Sequence, residues 1–256
     1  MNGELYQLLR LVLYVKDSMR GSKGAEFKRC GYEHVLTFSF SPDIDPCAGK
    51  KCNDESGWVE GLEKRGLKAV NLLCLFEKND PKLAGFANAE KQGIVTEYED
   101  GTRTIWTSKW AFNKERKGWA VYYIEKKRDG LSDADFIYLN CRDEFEEVLL
   151  DIQKLAQRIG ARHFAQLFGS AYEALTSPEE PSLPEWSRDT MPGLNGDALR
   201  LYAAASRADV FGGMGSWNDD PSGMAYAEGL SDEYDRLSNA LYVVIRKAVM
   251  TAANSW

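Results

Sequence analysis

The sequence predicts an α+β protein, with a mainly antiparallel sheet and flanking helices in residues 1–142 and a helical region in residues 143–256. Two patterns support this prediction. In the first region, short apolar runs and alternating apolar and polar residues are typical of strands. In the second region, apolar residues recur at intervals of three and four, as in helices that bury one face. The proline-rich connection over residues 177–196 is a candidate boundary, although the two regions can also share one core.

The first region is predicted to contain one long helix and a series of strands. Residues 4–19 place leucines and valines on one helical stripe, which Gly21 and Gly24 end. The run "KAVNLLCLFEK" is almost continuously apolar and predicts a strand covered on both faces. Asp100 and Gly101 form a dipeptide that favours a tight hairpin turn. The predicted order is helix 4–19, strand 32–42, a short helix near 57–66, strand 68–78, strands on both sides of 100–101, and strand 117–127.

Four helices are predicted in the second region, at residues 143–159, 161–176, 197–210 and 232–253. The first of them begins with acidic side chains, which suit the positive end of a helix dipole, and Gly160 is placed to end it. Ser231 is predicted to cap the last helix, because a serine oxygen accepts hydrogen bonds from free amides of the first turn.

The composition, with 44% hydrophobic and 28% charged residues, is that of a globular protein. No stretch approaches the roughly 18 consecutive apolar residues of a membrane helix, and the N-terminus lacks the features of a signal peptide. The five cysteines cannot all pair, so reduced thiols and a cytoplasmic location are expected. Cys47 and Cys52 lie close together in "CAGKKC", but no second ligand pair accompanies them. Neither a metal nor a cofactor is therefore predicted.

The formal net charge of -7 disfavours nucleic-acid binding, which depends on Lys and Arg to neutralise phosphates. Residues 151–256 contain 14 acidic and 9 basic residues, whereas residues 1–150 contain 25 and 23. An acidic C-terminal part attracts a basic protein partner and speeds their encounter.

The stretch "FGGMGSWNDD", residues 211–220, departs most from ordinary amphipathic structure. One interpretation is structural, because Gly212, Gly213 and Gly215 can adopt the left-handed backbone conformation that ends a helix. Ser216 and Asp219 have the spacing of a capping box. A phosphate cradle is disfavoured, since the lysine of a nucleotide-binding loop is missing and the carboxylates would repel phosphate.

A second interpretation makes the same stretch a partner surface. Trp217 would supply apolar area, and Asn218, Asp219 and Asp220 would accept hydrogen bonds from a basic ligand. Tryptophan is enriched among the residues that dominate binding energy. In the structural interpretation, Trp217 would instead anchor the turn to the core, and its indole N–H would need an acceptor.

Together with the helix ending "VMTAANS", this motif resembles a small domain of bacterial proteins that are often suspected to be immunity proteins. The resemblance covers residues 197–255, and only the ten-residue motif is specific. It implies a non-enzymatic inhibitor that binds a cognate toxin stoichiometrically, with the toxin domain expected to be basic. It does not say which toxin is bound.

Two alternatives remain open from the sequence. An enzyme of an unrecognised class would use His163 or His34 with a nearby cysteine or carboxylate, although neither "GxSxG" nor "HExxH" is present. His163 is predicted to lie on the apolar side of its helix. The other alternative is a scaffold or dimerisation module, and the oligomeric state is not predicted.

Overall fold

A computed structural model describes residues 2–21, 26–41, 51–76, 80–183, 187, 191 and 193–255. It confirms the α+β class, with the strands in the N-terminal half and most helices in the C-terminal half. The described helices are α1 (Gly3–Met19), α2 (Glu55–Lys64), α3 (Cys141–Arg158), α4 (Arg162–Thr176), α5 (Gly196–Ala208), α6 (Asp220–Ala227) and α7 (Ser231–Asn254). The described strands are β1 (Glu33–Ser39), β2 (Lys51–Cys52), β3 (Leu67–Cys74), β4 (Gln92–Tyr98), β5 (Arg103–Asn113) and β6 (Gly118–Lys127). Gly24 and Cys47 lie outside the described residues.

The six strands form one mixed sheet in the order β2-β1-β6-β5-β4-β3. Only the β1–β6 pair is parallel among the described strands, which agrees with the predicted mainly antiparallel sheet. The predicted hairpin joins β4 to β5. Gly101 adopts a φ of 81° there, and Tyr98 N donates to Thr102 O at 3.0 Å.

Strand β3 lies at the sheet edge, and Leu72 and Leu73, which point to opposite faces of the sheet, are both buried, as the sequence predicts. The C-terminal part of α7 packs along this edge and supplies the missing hydrogen-bond partners. Leu72 N donates to Asn254 Oδ1 at 2.8 Å, and Asn254 Nδ2 donates to Leu72 O at 2.9 Å. Cys74 N is 3.2 Å from the sulfur of Met250. An exposed edge strand can pair with another chain, and α7 prevents this over the C-terminal half of β3.

The buried hydrophobic residues of both regions form one contiguous core. Helix α7 contributes to it along most of its length, and is buried against the sheet edge and against α3 and α5. The described part of the proline-rich connection is held to α5 by two arginines. Arg200 donates to the carbonyls of Ser177, Pro178 and Glu179, and Arg207 donates to Ser182 O at 3.0 Å.

Two details of the C-terminal helices differ from the prediction. Helix α6 was not predicted as a separate element, and Pro221 occupies its first turn, where a missing N–H is tolerated. Leu230, not Ser231, is the N-cap of α7, and no side chain caps that end. No helix in the described part of the chain has both the length and the apolar character needed to cross a membrane.

Candidate functional site: an aromatic cavity above buried carboxylates

The glycines of residues 211–220 adopt the conformations that the structural interpretation requires. Gly212, Gly213 and Gly215 have φ values of 79°, 83° and 77°. Gly212 also packs directly on the loop that precedes β4, since a Cβ built at Gly212 would lie 2.5 Å from Gly85 Cα. The turn is therefore fixed both by its backbone conformation and by a close approach of two chain segments.

Comparing Gly212→Ala with Gly213→Ala separates these two requirements. Gly213→Ala is expected to lower the free energy of unfolding by about 1–2 kcal/mol, because alanine resists a positive φ and a Cβ there meets nothing within 4 Å. Gly212→Ala is expected to lose about 1–3 kcal/mol more, because its Cβ overlaps the backbone of Gly85. Urea denaturation measures both values, and equal losses would show that the close approach contributes nothing.

Trp217 is a structural anchor, so the prediction that it offers apolar surface to a partner is wrong for this conformation. Its side chain is 0% exposed, because helices α4 and α7 enclose it. The indole Nε1 donates to Ser238 Oγ at 2.8 Å, and the ring packs 5.2 Å from each of Phe164, Phe168 and Tyr234. The acceptor that a buried indole needs is therefore present.

The polar residues that follow Trp217 form hydrogen bonds within the protein, and two of them are also exposed. Asn218 Nδ2 donates to Pro81 O at 3.0 Å, and Asp219 Oδ2 accepts from Ser216 N at 3.0 Å. This second bond is one of the two hydrogen bonds of the predicted capping box. It forms one turn before α6 begins. Asp219 and Asp220 are both exposed. Their binding to a partner remains a prediction, and replacing Asp219 would also break a turn.

Next to this corner lies a cavity of about 430 Å³, called here the aromatic cavity. The first residues of α1, the loop of residues 84–87, and Gly212 and Gly213 form part of its wall. Asn2, Glu4 and Asp209 supply its polar atoms. Five aromatic residues line it: Tyr32, Phe86, Trp110, Trp119 and Phe211. The two glycines thus shape a cavity, although no local sequence pattern indicates the aromatic residues that complete it.

The polar side of the aromatic cavity rests on a buried cluster of charges. Arg246 of α7 is fully buried, with its guanidinium 2.6 Å from Glu90 Oε1 and 3.4 Å from Asp209 Oδ1. The guanidinium also lies 3.7 Å from the ring centroid of Tyr242. Asp209 Oδ2 accepts from Asn2 N at 2.9 Å, and Glu4 Oε1 accepts from Asn88 N at 2.7 Å.

Burial raises the pKa of Glu4, against the hydrogen bond from Asn88 N, and the charge of Glu90 raises it further. Burial likewise raises the pKa of Glu90, although Arg246 opposes the shift. For Arg246, burial alone would lower the pKa, but the charges of Asp209 and Glu90 raise it above its ordinary value. The arginine therefore stays charged, whereas burial disfavours the ionised form of the two glutamates.

In this cluster, Glu90 and Asp209 share one buried guanidinium, and the buried carboxyl of Glu4 interacts with Glu90 without a basic partner among the described residues. The N-terminal end of α1 offsets part of the excess, because its free amides and dipole favour negative charge. Among the described residues, however, only one oxygen of Glu4 has a hydrogen-bond donor. Aromatic walls and a floor with surplus negative charge together form a site that suits a cation.

Both histidines lie at the protein surface. His163 is exposed, contrary to its predicted place on the apolar side of α4, and its ring meets only the edge of Phe164 at 5.5 Å. His34 is exposed as well. Neither ring bonds a cysteine or carboxylate within the described ranges, and neither lines the aromatic cavity. Cys52 is half-buried, and the four described cysteines form no disulfide.

The chain matches no family model, no curated protein and no solved structure. The resemblance to immunity proteins therefore rests on the sequence motif alone. Within the part of the chain that the structure covers, no three or more His, Cys, Asp or Glu side chains are grouped so as to hold a metal ion. The aromatic cavity is therefore the candidate functional site.

Proposed function

We propose that this protein is a non-catalytic immunity protein, and that its aromatic cavity receives a basic side chain of a cognate bacterial toxin. The main support for the proposal is that the cavity has aromatic walls and that the carboxylates beneath it outnumber their one paired cation, Arg246. A cation held over an aromatic ring gains about 0.5–2 kcal/mol. An ion pair with Glu4 adds to this, because the pair is shielded from water.

The rim of the aromatic cavity is suited to contact with a protein. Phe86, which lines the cavity, is 66% exposed, and Met214, between the two glycine turns, is fully exposed. Aromatic residues and methionine are enriched in the cores of protein interfaces. Asn218, Asp219 and Asp220 would extend this surface with polar groups. The net charge of -7 would steer a basic partner towards it.

The same proposal places the protein in the cytoplasm. Cys30, Cys74 and Cys141 are free thiols, which is usual for proteins of a reducing compartment. An immunity protein in that compartment would meet its toxin before the toxin reaches its target.

The test is binding to the toxin domain encoded beside this protein, measured by isothermal titration calorimetry. Phe86→Ala is expected to weaken binding by at least about tenfold, or about 1.4 kcal/mol. Tyr226→Ala is the matched control, because this ring is 80% exposed and does not line the cavity. It is expected to change binding by less than about twofold.

Glu4→Gln tests the charge separately from the shape. The amide oxygen can still accept from Asn88 N, so the cavity wall is preserved. Binding is expected to fall by about tenfold, while the free energy of unfolding stays equal or rises, because burial disfavours the ionised carboxyl. If Phe86→Ala and Tyr226→Ala weaken binding equally, or if no neighbouring toxin is bound, the proposal is wrong.

A further inference from the structure

A second cavity opens where strands β4 and β5 stop pairing. Their last pair is Ile94 with Trp106, whereas β5 continues beside β6 as far as Asn113. Beyond that pair the side chain of Asn88 takes the place of β4. Its Nδ2 donates to Trp110 O at 3.0 Å, and its Oδ1 accepts from Trp110 N at 2.7 Å. A cavity of about 850 Å³, called here the basic cavity, opens at this interruption of the ladder.

The basic cavity carries positive charge on a protein of net charge -7. Lys109, Lys126, Lys127 and Arg128 line it. The three lysines are exposed, and none of them forms an ion pair with a described acidic residue. Carboxylates lie at the inner end, but Glu90 is paired with Arg246 there. Negative charge on a ligand is therefore favoured at the lysine end of the cavity and disfavoured at the inner end.

Two hydrogen-bond donors lining the cavity have no acceptor. Gln92 is only 7% exposed, and its Nε2 has no partner among the described residues. Its Oε1 has only a weak contact with the Cys74 thiol at 3.9 Å. Arg128 Nε is likewise buried without an acceptor. Both atoms are shielded from solvent, so they belong to the inner wall and do not themselves contact a ligand in the cavity.

The floor of the basic cavity is apolar. Ile105, Ile124 and Leu75 line it, and Ile124 is 45% exposed. The pairing of Ile105 with Lys126 and of Thr107 with Ile124 places both isoleucines on the same face of the sheet as Lys126. The cavity volume lies within the range of about 300–1,000 Å³ that is usual for small-molecule sites.

We propose that the basic cavity binds a small organic anion with an apolar body. The anionic group lies between Lys109 and Lys126, and the apolar body covers Ile105 and Ile124 on the same face of the sheet. Glu4 lines both cavities, but no aromatic wall residue of the first cavity lines the second, so the lysine variants test this site separately from the toxin site proposed above.

The test uses two fluorescent probes with the same apolar body, 8-anilinonaphthalene-1-sulfonate and its uncharged analogue N-phenyl-1-naphthylamine. The double variant Lys109→Glu with Lys126→Glu is expected to weaken sulfonate binding by about tenfold or more. Binding of the uncharged probe is expected to change by less than about twofold. Lys154→Glu is the control, because this lysine is equally exposed on α3 and lies outside the cavity.

Gln92→Met is a second control, because its amide nitrogen is shielded from the cavity, and it is expected to change sulfonate binding by less than about twofold. Sulfonate binding that survives the double lysine variant unchanged would overturn the proposal. The same conclusion follows if both probes lose affinity equally, since the site would then select for apolar surface only. Circular dichroism and the melting temperature of each variant establish that the fold is retained.

Discussion

Arg246→Met is expected to lower the free energy of unfolding by about 3–5 kcal/mol. The guanidinium is fully buried and is the only cation that pairs with Glu90 and Asp209 among the described residues. Methionine keeps most of the volume and the apolar contact with Tyr242. The loss therefore measures what happens when two buried carboxylates lose their partner. Urea denaturation at neutral pH gives the difference from the wild type.

The loss is expected to depend on pH in a defined direction. Burial raises the pKa of Glu90 in the folded protein, and Arg246 opposes this shift. Removing the arginine therefore raises the pKa of Glu90 further. A carboxyl with a raised folded-state pKa binds its proton more tightly in the folded protein, so the stability of the variant falls as pH rises above about 4.5. The difference from the wild type should be large at about pH 8 and should shrink towards pH 4.5.

Arg236→Met is the matched control for this experiment. Arg236 lies on the same helix but is exposed, so the identical substitution removes a charge without leaving a buried partner. Its effect is expected to stay within about 0.5 kcal/mol at either pH. A similar loss in both variants would show that the buried cluster has no special role in stability.

The fold class and most elements could be predicted because their signals are local. The helical stripe of α1, the hairpin at Asp100 and Gly101, and the end of α3 at Gly160 each depend on residues within one short segment. Strand β3 was also found, but its position at the sheet edge was not, because that position depends on Asn254 at the other end of the chain. Sequence periodicity contains no information about such distant partners.

The candidate site could not be predicted from the sequence for the same reason. Arg246 and Glu90 are 156 residues apart, and Asp209 lies between them in the sequence. One signal was present, since Arg246 interrupts the apolar face of "YVVIRKAVM" and a charge at such a position is seldom buried without a partner. The identity of that partner still required the structure. Trp217 presented a different difficulty. Tryptophan is common both in binding surfaces and in cores, so its presence in the motif does not distinguish the two.

Trp217→Ala is expected to lower the free energy of unfolding by about 3–5 kcal/mol, with no partner present. The ring is fully buried, and it packs against the aromatic side chains of α4 and α7, so truncation leaves a large cavity. If Trp217 were instead a surface contact for a partner, its truncation would weaken binding and leave the unfolding curve unchanged. Urea denaturation of the isolated protein therefore distinguishes an anchor from an interface residue.

A double-mutant cycle then isolates the hydrogen bond from the packing. Ser238→Ala removes the acceptor of the indole N–H, which lies 2.8 Å away, and is expected to lose about 1–3 kcal/mol in the wild-type background. In a Trp217→Phe background the same change should have almost no effect, because phenylalanine has no donor to leave unpaired. The coupling energy is the difference between the two losses. Equal losses in both backgrounds would mean that the hydrogen bond between Trp217 and Ser238 contributes nothing and that packing alone holds Trp217 in place.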